Sequence, residues 1–117
     1  MLHTIRHGPD AGHPLVIAHG LFGSARNWGA VAKRLAADRP EGRPVLAVDM
    51  RNHGASPWTD AHGYPELAAD LAEVIAAAGG RADVLGHSMS GKAAMVLALL
   101  HPERVCRLDV ADSAPIA

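Results

Sequence analysis

Short runs of consecutive apolar residues alternate along this chain with longer stretches whose apolar positions recur every three or four residues. Leu15-Val16-Ile17-Ala18 and Val45-Leu46-Ala47-Val48 are continuous apolar runs, the pattern of strands covered on both faces. Leu2 to Arg6, Ala82 to Gly86 and Val105 to Ala111 read as further strands. Between them, the spacing predicts helices over Asn27 to Ala37, Pro65 to Ala78 and Ser90 to Leu100. The first carries Trp28, Val31 and Leu35 on one stripe. The second carries Leu67, Leu71, Val74, Ile75 and Ala78, with Pro65 suited to its first turn and Gly79 to its end. Pro102 stops the third. Turns are expected at His7 to His13 and Pro40 to Pro44, and a polar loop from Asp49 to Ser56. Strands alternating with helices predict one α/β domain over residues 1–117. It would be a mostly parallel sheet of about five strands with helices on both faces.

Composition narrows the classes. Of 117 residues, 49% are apolar and 20% charged, as in ordinary globular domains. Phe22, Trp28, Trp58 and Tyr64 are the whole aromatic complement, so alanine, valine and leucine must fill the core. The formal net charge of −1, with no basic stripe, argues against nucleic acid as a partner. No apolar run reaches membrane-spanning length, and the first residues lack a signal peptide's apolar core. Cys106 is the single cysteine, which excludes an internal disulfide and fits a reducing, cytoplasmic setting. The eight histidines are scattered, without the close spacing of a zinc site, so no metal is expected.

The chemistry concentrates in Gly86-His87-Ser88-Met89-Ser90-Gly91, placed between a predicted strand and a predicted helix. That context suits a nucleophile elbow, Gly-x-Ser-x-Gly. A tight turn lifts the serine hydroxyl above the sheet and requires small residues two positions before and after it, here Gly86 and Ser90. The helix N-terminus beneath favours developing negative charge. The same segment also reads as an ordinary strand-to-helix turn with a serine cap. Two further segments follow buried strands: His19-Gly20-Leu21-Phe22-Gly23-Ser24 and Asp49-Met50-Arg51-Asn52-His53-Gly54-Ala55-Ser56. The first alone could be a glycine turn, and the second a solvated loop.

In this order and spacing, the three segments resemble the α/β-hydrolase superfamily, in particular its small esterases and thioesterases with His-Gly-Leu-Phe-Gly-Ser and Gly-His-Ser-Met-Gly-Gly-Lys. The resemblance runs from about Leu2 onward and covers the front half of that fold. It implies a domain that is C-terminally incomplete. It also implies hydrolysis of a small-molecule carboxylic ester or thioester through a seryl-enzyme intermediate, without a cofactor. Ser88 would be the nucleophile. The backbone N–H groups of Met89 and Leu21 would form the oxyanion hole, with Phe22 the alternative to Leu21. Asp112 would be the triad acid and Asp109 the weaker choice. Ser90 departs from the glycine usual at its position.

In this superfamily a histidine follows the acid, yet Ser113-Ala114-Pro115-Ile116-Ala117 contains none. Without that base the expectation is an impaired hydrolase, retaining on the order of 10³–10⁴-fold catalysis over water. His19 and His53 follow strand ends and are expected to brace loops. His101 should lie too far from Ser88, and His87 should point away from it. A non-catalytic interaction module, self-associating through the edge of the last strand, is the alternative. Gly86 to Lys92 also fits Gly-x4-Gly-Lys, a phosphate-binding loop, but Ala93 stands where that motif needs a hydroxyl.

Overall fold

A computed structural model describes residues 1–8, 13–19, 29–37, 43–51, 56, 63–87 and 89–111. Five strands are formed among them: β1 (Thr4–His7), β2 (Leu15–Ala18), β3 (Val45–Val48), β4 (Ala82–His87) and β5 (Val105–Ala111). Three helices accompany them: α1 (Gly29–Ala36), α2 (Tyr64–Ala77) and α3 (Met89–Leu100). A 3₁₀ turn, Pro102–Arg104, leads into β5. The strands make one sheet in the order β1-β3-β2-β4-β5. All neighbours are parallel except β1, which runs antiparallel to β3.

Alternation of side chains assigns the two faces. Leu15 and Ile17 of β2 and Val45 of β3 pack with Ala32, Leu35 and Ala36 of α1. Val16, Ala18, Leu46, Val48 and Val84 point the other way, against Leu67, Leu71 and Ile75 of α2 and Ala93, Ala94 and Leu97 of α3. Helices therefore cover both faces, as the alternating pattern predicted. Of the stripe expected on α1, Leu35 is described; Trp28 and the Val31 side chain lie outside the described residues.

Element ends differ from expectation by a residue or two, for local reasons. Leu2 is buried in the core, but the ladder begins at Thr4, opposite Val48. Helix α2 opens at Tyr64 because the Leu67 N–H already bonds the Gly63 carbonyl, at 3.0 Å. It closes where Gly79 and Gly80 take positive φ of 114° and 97°, and Gly80 N–H caps the Ile75 carbonyl at 2.9 Å. A left-handed pair of this kind favours glycine. In β5, Ala82 pairs with Val105 but Asp83 pairs with Arg107, so Cys106 is the extra residue of a bulge.

Candidate active site

The registers bring the carboxyl ends of four strands level. Ala18 pairs with Val48 on one side and Gly86 on the other, and His87 pairs with Ala111. Neighbouring strands lie about 4.8 Å apart. The chain thus leaves β2, β3, β4 and β5 along one edge of the sheet. In open parallel sheets, ligands bind outside these ends. Ser88, Leu21 (with Phe22) and Asp112 lie outside the described residues, as does His53. Their sequence neighbours show where each segment starts: Ser88 follows β4, Asp112 follows β5, and the segment carrying Leu21 follows His19.

Beside Ser88 the packing explains two of the sequence requirements. A Cβ added at Gly86 would overlap the main-chain oxygen of Ser90 and come within 2.9 Å of Gly91 Cα. The strand end and the start of α3 meet too closely for any side chain at position 86. Met89 is the first residue of α3 and Ser90 the second. Ser90 has no solvent exposure, and its hydroxyl donates to the main-chain oxygen of His19. Small size at position 90 is therefore accompanied by a specific polar contact, which the motif alone did not suggest.

His19 is 1% exposed, and its Nε2 accepts the Met50 N–H at 2.9 Å. The ring joins the ends of β2 and β3, the bracing role expected of it. An Nε2 that accepts carries no proton, so this tautomer is set by the backbone. His101 follows α3, a helix of 12 residues; it lies about 18 Å from the helix start.

The described residues of the Asp49–Ser56 segment are less solvated than its composition suggested. Asp49, Met50 and Ser56 are buried. The Asp49 carboxylate meets His3 Nδ1 at 2.8 Å. The Ser56 hydroxyl accepts the His3 N–H at 2.8 Å and donates to the Asp49 main-chain oxygen. The start of β1 is thereby laced to the segment after β3. Arg51 reaches Asp70 of α2 through two bonds, Nε to Oδ2 at 2.6 Å and an Nη to Oδ1 at 2.9 Å. This fork holds the guanidinium above its ordinary pKa against the opposing effect of burial; the charges of Asp70 and Glu66 add to it. Sequence reasoning missed both networks. Single polar residues separated by 7 to 53 positions carry no periodic signal.

Elsewhere, Arg43 pairs with Asp83 at 2.9 Å beside a shallow depression on the α1 face, away from the strand ends. Among the described residues, no group of three His, Cys, Asp or Glu could hold a metal. No helix among them is long and apolar enough to cross a membrane. Ala93 is fully buried, and no hydroxyl stands there for a phosphate-binding loop.

Comparison with known proteins places this geometry in context. A family model described as alpha/beta hydrolase fold matches residues 13–113. The chain is 44% identical over 111 residues to the sn-1-specific diacylglycerol lipase ABHD11 of Xenopus tropicalis, covering 94% of this chain and 34% of that protein. It is 42% identical over 104 residues to the esterase YbfF of Escherichia coli (strain K12), covering 88% and 39%. A solved marine microorganism esterase superposes with a TM-score of 0.82 at 39% identity, covering 95% of this chain and 41% of that one. The chain thus spans roughly a third to two fifths of the length of these relatives.

Proposed function

Because the chain belongs to the α/β-hydrolase fold family, we propose that it carries the nucleophile half of a serine esterase acting on carboxylic esters or thioesters. Ser88 Oγ attacks the acyl carbon as its proton passes to a base, a histidine or one from solution, that returns it to the leaving group. The Met89 N–H, at the positive end of α3, and the Leu21 N–H receive the oxyanion. The alkoxide or thiolate departs, and water releases the acid from the seryl ester. Asp112 is the acid that would orient a histidine base. None of the five residues after Asp112 is a histidine, and His19 Nε2 is engaged by the Met50 N–H. Turnover by this chain alone is therefore expected to be weak.

The observation that supports the reading best is the level ending of β2, β4 and β5. It starts the segments of Leu21, Ser88 and Asp112 from one edge, with Gly86 pressed against α3 as an elbow requires. The esterase and lipase names of the relatives point the same way.

The test is covalent labelling by a fluorophosphonate in imidazole buffer, where free imidazole stands in for the base. One adduct per chain, located at Ser88 by mass spectrometry and lost in Ser88→Ala, is the expected result. A wild-type chain that stays unlabelled, or a Ser88→Ala chain that labels equally, defeats the assignment.

One observation favours a second reading. Among the described residues β5 pairs only with β4, and Met95, Leu99 and Leu100 of α3 are exposed. An open strand edge beside apolar surface suits self-association. A sedimentation profile independent of protein concentration would speak against it.

A further inference from the structure

We propose that Ser90 is a positioning residue that ties the two halves of the oxyanion hole together; the proposal rests on the Ser88 reading above. One half is the start of α3, where Met89 lies. The other is the segment that leaves β2 after His19. The Ser90 hydroxyl, without solvent exposure, bridges them by donating to the His19 carbonyl. The peptide unit is planar, so holding the His19 carbonyl holds the plane of the peptide bond from which the next segment starts. His19 is held a second time, through its ring, by the Met50 N–H at 2.9 Å. One residue is thus clamped by the elbow helix on its main chain and by the β3 end on its side chain.

This matters because oxyanion donors act only within a narrow geometry, and a displacement of about 0.5 Å is already costly. The similar motif Gly-His-Ser-Met-Gly-Gly-Lys has glycine at this place, which offers no donor. In this chain, Ser90 satisfies the need for a small residue and adds a tie that glycine cannot make. The tie acts on the transition state, where the oxyanion forms, and leaves ground-state binding of the reagent unchanged.

The experiment compares wild type, Ser90→Ala and Ser90→Cys as full 117-residue chains in the fluorophosphonate assay. Labelling rates over a range of probe concentrations separate the maximal rate from the half-saturating concentration. Cysteine keeps nearly the same shape but donates weakly, so it controls for a packing defect. Both variants are expected to lose about tenfold in maximal rate, with the half-saturating concentration held within about twofold. Hydrogen exchange at the Met50 amide should quicken in both, relative to the amides of β2 and β4.

Equal maximal rates in wild type and both variants overturn the proposal, as does a change confined to the half-saturating concentration. Unaltered exchange at Met50 overturns it as well. A wild-type chain that is never labelled at Ser88 instead removes the hydrolase reading, and this proposal goes with it.

Discussion

Gly86 and Ser90 approach so closely that the end of β4 leaves no room for a side chain. A methyl group at position 86 would overlap the Ser90 main-chain oxygen and sit 2.7 Å from its carbonyl carbon. These are backbone atoms of α3, which cannot swing aside as a flexible side chain could. Gly86→Ala should therefore destabilise the fold by about 3 kcal/mol or more. Gly29→Ala, with nothing within 4 Å of the new atom, should be close to neutral. Urea midpoints of the two variants check the contrast. Equal midpoints would mean that β4 and α3 can separate freely.

His19 is expected to matter through its ring acceptor. His19→Phe keeps bulk but leaves the buried Met50 N–H without this acceptor, at a cost of roughly 1–3 kcal/mol. His19→Gln retains an acceptor and should recover part of the loss. Chemical denaturation measures both. A phenylalanine variant as stable as wild type would show that the Met50 contact contributes nothing.

The Arg51–Asp70 fork is partly buried, with side chains 16% and 20% exposed. Asp70→Asn should cost roughly 1–3 kcal/mol. Arg51→Lys, although it preserves charge, should lose much of the same amount because an ammonium cannot make both bonds. The raised guanidinium pKa means that its contribution is fully present below the unfolded value and is lost only as pH rises through the folded one. Stability of the wild type relative to Arg51→Lys should thus be flat from neutral to moderately alkaline pH. Thermal melts at several alkaline pH values test this.

Burial should separate two leucines of neighbouring helices. Leu71 of α2 has no exposure, and Leu71→Ala is expected to cost about 2–5 kcal/mol. Leu99 of α3 is 80% exposed, and Leu99→Ala should fall within about 0.5 kcal/mol of wild type. Comparable losses at both sites would mean that the outer face of α3 is covered in solution, as the self-association reading requires.

Much of the architecture was legible in the residues. The bounds of β2, β3 and β5 were read as they stand; for β2 and β3 a continuous apolar run flanked by polar turns is a local signal of a buried strand. The faces of α2 followed from the spacing of Leu67, Leu71, Val74 and Ile75. Gly86 was visible because a close approach that leaves no room for a side chain demands glycine and leaves a local imprint. The residues proposed for the reaction itself, Ser88, Leu21 and Asp112, rest on that imprint and on family likeness.

What the chain by itself determined, then, was everything governed by neighbours in sequence: strand and helix positions, which sides are apolar, and where a tight turn must fall. Tertiary structure alone decided that β1 reverses direction beside β3, that Asp49 meets His3 and Ser56, that Arg51 grips Asp70, and that Ser90 reaches His19 across 71 positions. The physical reason is the nature of the two signals. Hydrophobic burial repeats with the period of the backbone and can be read along a line. A hydrogen bond between distant polar groups has no period, and it exists only once the sheet order has set which chain ends lie side by side.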